Sequence, residues 1–346
     1  MRLPISRKHL PLTATALVLV VLYAGAAIRF ADMGFFSLSI LVNLFRDNAF
    51  LGVAAIGMTF VILSGGIDLS VGAVLAFTSI LVAVLIRDDA VPPPAAIAIS
   101  LAAGTALGLG HGCLIHYFAL PPFLVTLAGM FFARGMGFIV SDMSIAIRHP
   151  FYADVMRLGI PLTRQVAFPP TAMMFLIVLA GGLYVAHFTR FGRNVYAIGG
   201  SEQSALLMGL PVGRTKVLVY ALSGFCASLA GVVFTFYMGA GNPTWGIGLE
   251  LDAIAAVVIG GTLLSGGVGY VAGTLMGVLI LGIIQTVITF ANLNTWWTKI
   301  AVGLLVLLFV LLQHIVSTVS SRSSSSPPLP KRTGDNRPVE LPEKPS

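Results

Sequence analysis

Long apolar runs separated by short polar segments set the pattern of this chain. The two longest stretches without Asp, Glu, Lys or Arg extend from Ala90 to Ala133 and from Ala253 to Thr298. Because one helix needs about 20 apolar residues to cross a bilayer, each stretch accommodates two crossings. The pattern therefore predicts ten membrane-spanning helices, over residues 10–29, 48–64, 67–86, 95–117, 122–140, 169–188, 217–238, 250–264, 268–290 and 298–317.

The composition agrees with an all-α, polytopic membrane protein. Of 346 residues, 57% are hydrophobic and only 10% are charged, with a mean hydropathy of +0.96, whereas soluble domains carry roughly a quarter charged residues. The net charge of +7 does not indicate nucleic-acid binding, because the basic residues cluster at the N-terminus, in the loop 189–216 and in the tail. That distribution is typical of cytoplasmic segments flanking membrane helices. The loops 87–94 and 141–168 are then expected outside.

Domain boundaries follow from these spans. Residues 1–9 are predicted as a cytoplasmic N-terminus, residues 10–317 as the transmembrane domain, and residues 318–346 as a disordered cytoplasmic tail. The first apolar run is longer than the core of a usual signal peptide, about 7–15 residues, so we read it as an uncleaved helix. Residues 37–46 are too few to cross and are predicted as a short interfacial amphipathic piece.

An internal repeat links two distant parts of the chain. The sequence Leu-Ser-Gly-Gly at residues 63–66 recurs at residues 264–267, with a constant offset that also matches the preceding Ala-Ala pair. Internal repeats are common in transporters, although chance is an alternative for so short a match. Both copies are predicted on the cytoplasmic side, in a parallel arrangement. The chain has no phosphate-binding loop ending in Gly-Lys-Ser/Thr, so it does not hydrolyse ATP by that route.

Three carboxylates are candidates for the translocation path or for structural polar roles. Asp68 follows the double glycine between two apolar runs, where a charge is costly and usually faces protein or water; the alternative is a helix N-cap. Glu250 and Asp252 open the eighth predicted span, where acidic residues also favour a helix N-terminus. Two residues two positions apart do not share a helix face, so these two are not expected to form a catalytic pair.

The basic loop carries a candidate coupling element. Ser201 is a good N-cap, and Glu202 to Met208 are expected to form about two helical turns that end at Gly209. A short cytoplasmic helix with an apolar side is typical of a docking element for a soluble partner, and an ordinary connecting helix is the alternative. The candidate coupling residues are Gly199, Gly200, Ser201, Glu202, Gln203, Ala205, Met208 and Gly209.

Other chemistry is poorly supported by the sequence. Cys113 and Cys226 both lie in apolar runs and offer neither metal-ligand spacing nor a disulfide framework. The spans contain too few carboxylates for a convincing proton relay. No nucleophile with a nearby base has the spacing that a membrane-embedded hydrolase needs.

Several segments resemble the permeases of bacterial ribose-type sugar ABC importers. They are GMTFVILSGGIDLSVG at residues 57–72, TLAGMFF at 126–132, YAIGG at 196–200, ELDAIAAVVIGGT at 250–262, LSGGVG at 264–269 and WWTKI at 296–300. The resemblance covers roughly residues 10–316, excludes the tail, and is strongest to galactofuranose importer permeases of that family.

The resemblance implies a permease bundle without enzymatic activity of its own. It implies as partners a cytoplasmic ATPase that holds ATP and Mg²⁺, a periplasmic sugar-binding protein, and a second permease subunit. That subunit is expected to be a different permease, in a heterodimer, and a homodimer is the alternative. The loop 189–216 would receive the motion of the ATPase. The expected cargo is galactofuranose or a related monosaccharide. The alternatives are an ABC permease for another pentose or hexose and, from a different class, an ion-coupled secondary transporter.

Overall fold

The computed structural model describes residues 10–87 and 91–324, and helices account for most of them. The helices are α1 Leu10–Arg29, α2 Leu38–Asp47, α3 Ala49–Leu63, α4 Val71–Ile86, α5 Pro93–Tyr117, α6 Pro122–Val140, α7 Pro150–Arg157, α8 Pro170–Phe188, α9 Arg190–Gly200, α10 Glu202–Leu207, α11 Val212–Met238, α12 Leu249–Ile259, α13 Val271–Phe290 and α14 Trp296–Ser324. The strands are β1 Ile145–Ala146, β2 Ile160–Pro161, β3 Ala167–Phe168 and β4 Ala240–Gly241. Helices α5, α6, α7 and α8 each begin with a proline. Proline is favoured there because the N–H group of the first helical residue has no acceptor within the helix, so its absence costs nothing.

The prediction of an all-α, polytopic bundle is confirmed, and every predicted span contains a helix. The predicted count of ten is approximate, because the helices differ in length. Within the described residues, six helices (α1, α5, α6, α8, α11 and α13) are long and apolar enough to cross, or seven spans if α2 and α3, bent by 53°, count as one. Helices α3, α4 and α12 have 15, 16 and 11 residues. They are short because glycine-rich turns interrupt the apolar runs, and such turns are tolerated at membrane depth where protein surrounds them.

The ends of the chain fall partly outside the described residues. The predicted N-terminus, residues 1–9, and residues 325–346 of the predicted tail are not described. Helix α14 continues to Ser324, past the boundary predicted at residue 317. Residues 37–46 form α2 almost as predicted, with Ser37 accepting a hydrogen bond from the N–H of Ile40 as the N-cap.

Helix α3 is the centre of the bundle. All of its residues except Phe50 are buried, in agreement with a sequence that is apolar on every side. Helices α8, α11, α12 and α13 pack around it. Glycines on α5 allow α11 to approach closely: a Cβ atom on Gly108 would overlap the backbone of Tyr220, and one on Gly112 would lie 2.7 Å from the Cα of Val217. Gly104, Gly108 and Gly112, spaced four residues apart on α5, therefore form a packing surface.

The internal repeat is structural. Helix α3, the turn 64–70 and α4 correspond to α12, the turn 260–270 and α13. Gly65 and Gly266 take equivalent left-handed conformations, with φ of +81° and +86°, which glycine adopts without steric cost. The two turns contact each other, because the N–H of Gly267 donates to the carbonyl of Leu63 at 2.9 Å. Both copies therefore end on the same side of the bundle, in the predicted parallel arrangement.

The opposite side is closed by the loops predicted to lie outside. Strand β1 of the 141–169 segment pairs with β4, just after α11. Tyr152 of α7 stacks on Phe236 with ring centroids 4.2 Å apart and shares a 3.0 Å hydrogen bond with Thr235. Burial raises the pKa of the Tyr152 hydroxyl to about 12, so this contact stays neutral at physiological pH.

Candidate translocation and coupling site

The coupling element predicted in the basic loop is a helix pair, α9 and α10. Ser201 caps α10 by accepting a 3.2 Å hydrogen bond from the N–H of Ser204, and Gly209 ends it with φ of +73°, as the sequence predicted. Ala205 faces inward and is buried against Ile198 and Val212. Glu202 accepts a 2.7 Å hydrogen bond from Lys216 at the start of α11. The remaining predicted residue on this helix, Gln203, is exposed.

The tip of α10 presents apolar side chains to its surroundings. The exposed fractions are 55% for Leu206, 90% for Leu207 and 67% for Met208. An exposed apolar cluster on a loop that is predicted to be cytoplasmic is typical of a contact surface. Met208 belongs to the predicted set, whereas Leu206 and Leu207 were not singled out by sequence reasoning.

Glycines from three turns meet beneath this helix pair. Gly199 and Gly200, at the end of α9, lie against the two repeat turns, which contribute Gly65 and Gly266–Gly267. A Cβ atom on Gly199 would overlap the carbonyl of Leu63 and the N–H of Gly267, and one on Gly267 would lie 2.6 Å from the N of Gly200. We call this three-way contact the glycine junction. It brings the loop 189–216 into backbone contact with both halves of the repeat.

Aromatic side chains of α9 extend the same contact. The Tyr196 hydroxyl donates a 2.9 Å hydrogen bond to the carbonyl of Gly269 in the second repeat turn. Burial, with a contribution from Tyr270, raises the pKa of that hydroxyl to about 12, so it remains a donor at neutral pH. Phe191 packs on Phe60 of α3 with ring centroids 6.2 Å apart. The helix α9 is thus fixed to both repeat units.

Asp68 lies in the first repeat turn and is only 1% exposed. One carboxylate oxygen accepts from the N–H and the hydroxyl of Ser70 at 2.9 and 2.6 Å, and the other accepts from the Ser223 hydroxyl of α11 at 2.7 Å. The N-cap position of α4 is Ser70 rather than Asp68. Asp68 therefore joins the α3–α4 turn to α11, a partner that sequence reasoning did not identify.

Glu250 and Asp252 point to different surroundings, as their spacing predicted. Glu250 accepts from the N–H of Gly248 at 3.2 Å. Its second oxygen is buried and has no hydrogen-bond partner within the described part of the chain. Arg134 of α6 lies on the same side and donates to the carbonyls of Pro243 and Trp245 at 2.7 and 2.6 Å. These contacts hold the loop between β4 and α12.

Asp252 faces a cavity at the outer end of the bundle. Both of its oxygens accept from Lys299 of α14 at 2.8 Å. The cavity, which we call the outer basin, has a volume of about 530 Å³. It is lined by Ile40, Asn43, Asp47, Asn48, Phe50, Leu51, Phe234, Tyr237, Met238, Leu249, Asp252, Gly282, Gln285, Thr286, Thr289 and Phe290.

The outer basin and the glycine junction lie at opposite ends of the same helices. Helix α3 begins beside the basin at Asn48 and ends in the junction at Leu63. Helix α12 begins beside Asp252, and α13 leaves the second turn and ends at the basin lining around Gln285. Apart from Asp252, the polar lining was not assigned by sequence reasoning. Gln285 and Thr289, one helical turn apart in an apolar span, are the signal that would have indicated it.

A family model described as branched-chain amino acid transport system, permease component, matches residues 40–311. The chain is 48% identical to the inner membrane ABC transporter permease protein YjfF of Escherichia coli K12, over 93% of this chain and 97% of that protein. It is 38% identical to the fructose import permease protein FruG of Bifidobacterium longum, over 91% and 94%. It is 41% identical to the ribose import permease protein RbsC of Bacillus subtilis, over 79% and 84%. No solved structure matches the chain.

Proposed function

Because the chain belongs to the family of branched-chain amino acid transport system permease components, we propose that it forms the membrane path of an ATP-driven sugar importer. As a permease component, it is a multi-pass inner-membrane transport subunit rather than an enzyme. Although the family description mentions amino acids, FruG and RbsC are named as import permeases for fructose and ribose. Their similarity over most of the chain supports a sugar as the cargo.

The proposed sugar is galactofuranose or a related monosaccharide. This choice rests on the resemblance of the quoted segments to galactofuranose importer permeases. Another pentose or hexose is the alternative, and uptake assays with competing unlabelled sugars distinguish the two. Uptake of labelled galactose that is unaffected by excess ribose and fructose would favour the first choice.

The glycine junction is the observation that carries the coupling role. The backbone of α9 contacts both repeat turns directly, so a displacement of the coupling loop moves α3, α12 and α13 without passing through flexible side chains. These helices reach the outer basin at their far ends. Movement driven from the cytoplasmic side thereby changes access at the outer side, as alternating access requires.

The proposed partners follow from the resemblance to sugar ABC importer permeases. The exposed tip of α10, with Leu206, Leu207 and Met208, is the contact surface for a cytoplasmic ATPase, which holds the ATP and Mg²⁺. A periplasmic sugar-binding protein delivers cargo to the outer end. A second, different permease subunit completes the membrane path. This chain itself requires no cofactor in the proposal.

The test is purification of the tagged chain from its host in mild detergent, with the bound proteins identified by mass spectrometry. Recovery of an ATPase together with a second permease would support the proposal in full. Recovery of the chain alone, under conditions that preserve a control ABC complex, would contradict it. That result would favour an ion-coupled transporter, whose uptake collapses with an uncoupler while cellular ATP remains.

A further inference from the structure

The lining of the outer basin is rich in hydrogen-bond acceptors. The Thr286 hydroxyl donates to the carbonyl of Gly282 at 2.7 Å, and the Thr289 hydroxyl donates to the carbonyl of Gln285 at 2.9 Å. Since both hydroxyl hydrogens are used within α13, only oxygen lone pairs of these residues remain for a ligand. The carboxylates of Asp47 and Asp252 add further acceptors.

Donors are fewer on the same surface. Asn43 and Gln285 offer amide hydrogens, whereas the Tyr237 hydroxyl already donates to the carboxylate of Asp47. Asn48 uses one amide hydrogen for the carbonyl of Leu44 at 2.9 Å. A ligand that displaces water from this lining must itself donate several hydrogen bonds, because an acceptor that loses water without gaining a donor is costly.

One wall of the basin is aromatic. Phe50 and Phe234 have ring centroids 4.6 Å apart, and Tyr237 lies 6.2 Å from Phe234. Such a wall suits a ring with an apolar C–H face. The combination of acceptors on one side and aromatic rings on the other fits a hydroxylated ring.

The charge of the basin is balanced by neighbouring cations. Arg46 donates to Asp47 at 2.8 Å, and Lys299 donates to both oxygens of Asp252 at 2.8 Å. A phosphorylated or carboxylated ligand brings acceptors and negative charge to an acceptor-rich surface. A cationic ligand finds no unbalanced carboxylate. An uncharged ligand therefore fits best.

We propose that the outer basin is a binding subsite for an uncharged, hydroxyl-rich ring, and that Lys299 determines its selectivity against charged analogues. This inference rests on the proposed function, in that the ligand is the sugar on its way through the membrane. It adds a site and a charge preference to that function. Lys299 acts through Asp252 and is a positioning residue.

A tryptophan beside the basin makes binding measurable in the purified chain without any partner. Trp245 packs edge-on against Phe234 with ring centroids 4.8 Å apart. Replacing the exposed Trp296 and Trp297 by Phe leaves Trp245 as the single tryptophan among the three in the sequence. Its fluorescence is titrated with galactose, ribose and fructose, with galactose 6-phosphate, and with galactosamine.

The expected result is a saturable change with at least one uncharged sugar and no response to the phosphate. Thr289→Val and Gln285→Leu should each raise the sugar concentration at the midpoint of the fluorescence titration roughly three- to tenfold. The matched control is Thr105→Val, because the Thr105 hydroxyl also donates within its own helix, to the carbonyl of Leu101 at 2.7 Å, but does not line the basin. No saturable response to any uncharged sugar, or equal midpoints in all three variants, would overturn the subsite.

The charge preference has its own pair of variants. Lys299→Met should shift the preference from galactose towards galactosamine by about tenfold, because Asp252 loses its counter-charge, while Lys299→Arg should retain the original preference. An unchanged preference in Lys299→Met would overturn the role of Lys299. Because this assay needs no ATPase, its failure is distinguishable from failure of the pull-down that tests the importer.

Discussion

The backbone N–H of Gly267 donates a 2.9 Å hydrogen bond to the carbonyl oxygen of Leu63 and so joins the second repeat turn to the end of α3. Gly199 lies against the same two groups. The point where the two halves of the repeat meet is therefore also the point where the loop 189–216 contacts them. A disturbance there should act on stability and on the proposed coupling together.

Gly199→Ala should destabilise the junction, because the new Cβ would overlap the carbonyl of Leu63 and the N–H of Gly267. Backbone groups cannot rotate away as a side chain can, so we expect the free energy of unfolding to fall by about 2–4 kcal/mol. We also expect little ATP-dependent uptake. The control is Gly200→Ala, whose Cβ would meet no atom within 4 Å. Thermal unfolding in detergent measures the stability of each variant, and uptake into vesicles measures its transport. Equal behaviour of the two variants would show that the close approach at Gly199 is unimportant.

Leu207→Glu should reduce recovery of the ATPase at least tenfold while leaving the folded yield unchanged. Leu207 is 90% exposed, so the substitution alters a contact surface and not the core. Leu158→Glu is the control, since Leu158 is 70% exposed on the outer side of the bundle. Quantified pull-downs of both variants give the answer. Undiminished recovery with Leu207→Glu would place the ATPase contact elsewhere.

Asp68→Asn should lower the free energy of unfolding by about 2–4 kcal/mol. In the variant an amide nitrogen, in place of a carboxylate oxygen, would face a hydroxyl or N–H donor. Ser223→Ala removes one of the three donors and should cost about 1–2 kcal/mol. Ser228→Ala is the matched control on the same helix, since its hydroxyl donates only to the carbonyl of Phe225. Detergent unfolding compares the three. If Ser223→Ala proves as mild as Ser228→Ala, Asp68 contributes only to its local turn.

Tyr196→Phe tests the aromatic part of the junction and predicts a pH dependence. The folded state holds the pKa of the Tyr196 hydroxyl at about 12, above the ordinary value of 10. The Tyr196 hydroxyl ionises at lower pH in the unfolded chain than in the folded protein. Its contribution to the free energy of unfolding is therefore fully present below pH 10 and is lost as the pH rises towards 12. Tyr196→Phe should lower stability by about 1 kcal/mol at neutral pH and remove this part of the alkaline decline. An alkaline decline identical to that of the unmodified chain would contradict the assignment.

The sequence predicted the helices well because hydrophobic length and helix-end residues are local signals. The span 122–140 is α6 to the residue, and the cap at Ser201 and the end at Gly209 follow from their own side chain and conformation. The repeat was visible because its two turns carry the same glycines at a constant offset. The exact number of crossings was harder to predict, since an apolar run does not reveal where glycines interrupt the helix.

Contacts between distant segments were beyond the reach of local signals. The hydrogen bond from Ser223 to Asp68 joins residues 155 positions apart, and nothing near either residue indicates the other. The glycine junction forms only where three turns meet in space. In the sequence, each of these glycine-containing segments predicts no more than an ordinary turn. The outer basin takes its lining from five helices, so its polarity is a property of the packing and not of any one segment.

The three segments of the glycine junction are far apart in the order of synthesis. Leu63 leaves the ribosome first, Gly199 follows 136 residues later, and Gly267 another 68 residues after that. The junction cannot close before residue 267 has been made, although α3 is made much earlier. During that interval α3 and the turn that follows it lack the segments that they contact in the folded protein. Biogenesis of this chain should therefore depend on an insertion factor that shields early helices, and truncation before residue 267 should leave a product that quality-control proteases remove.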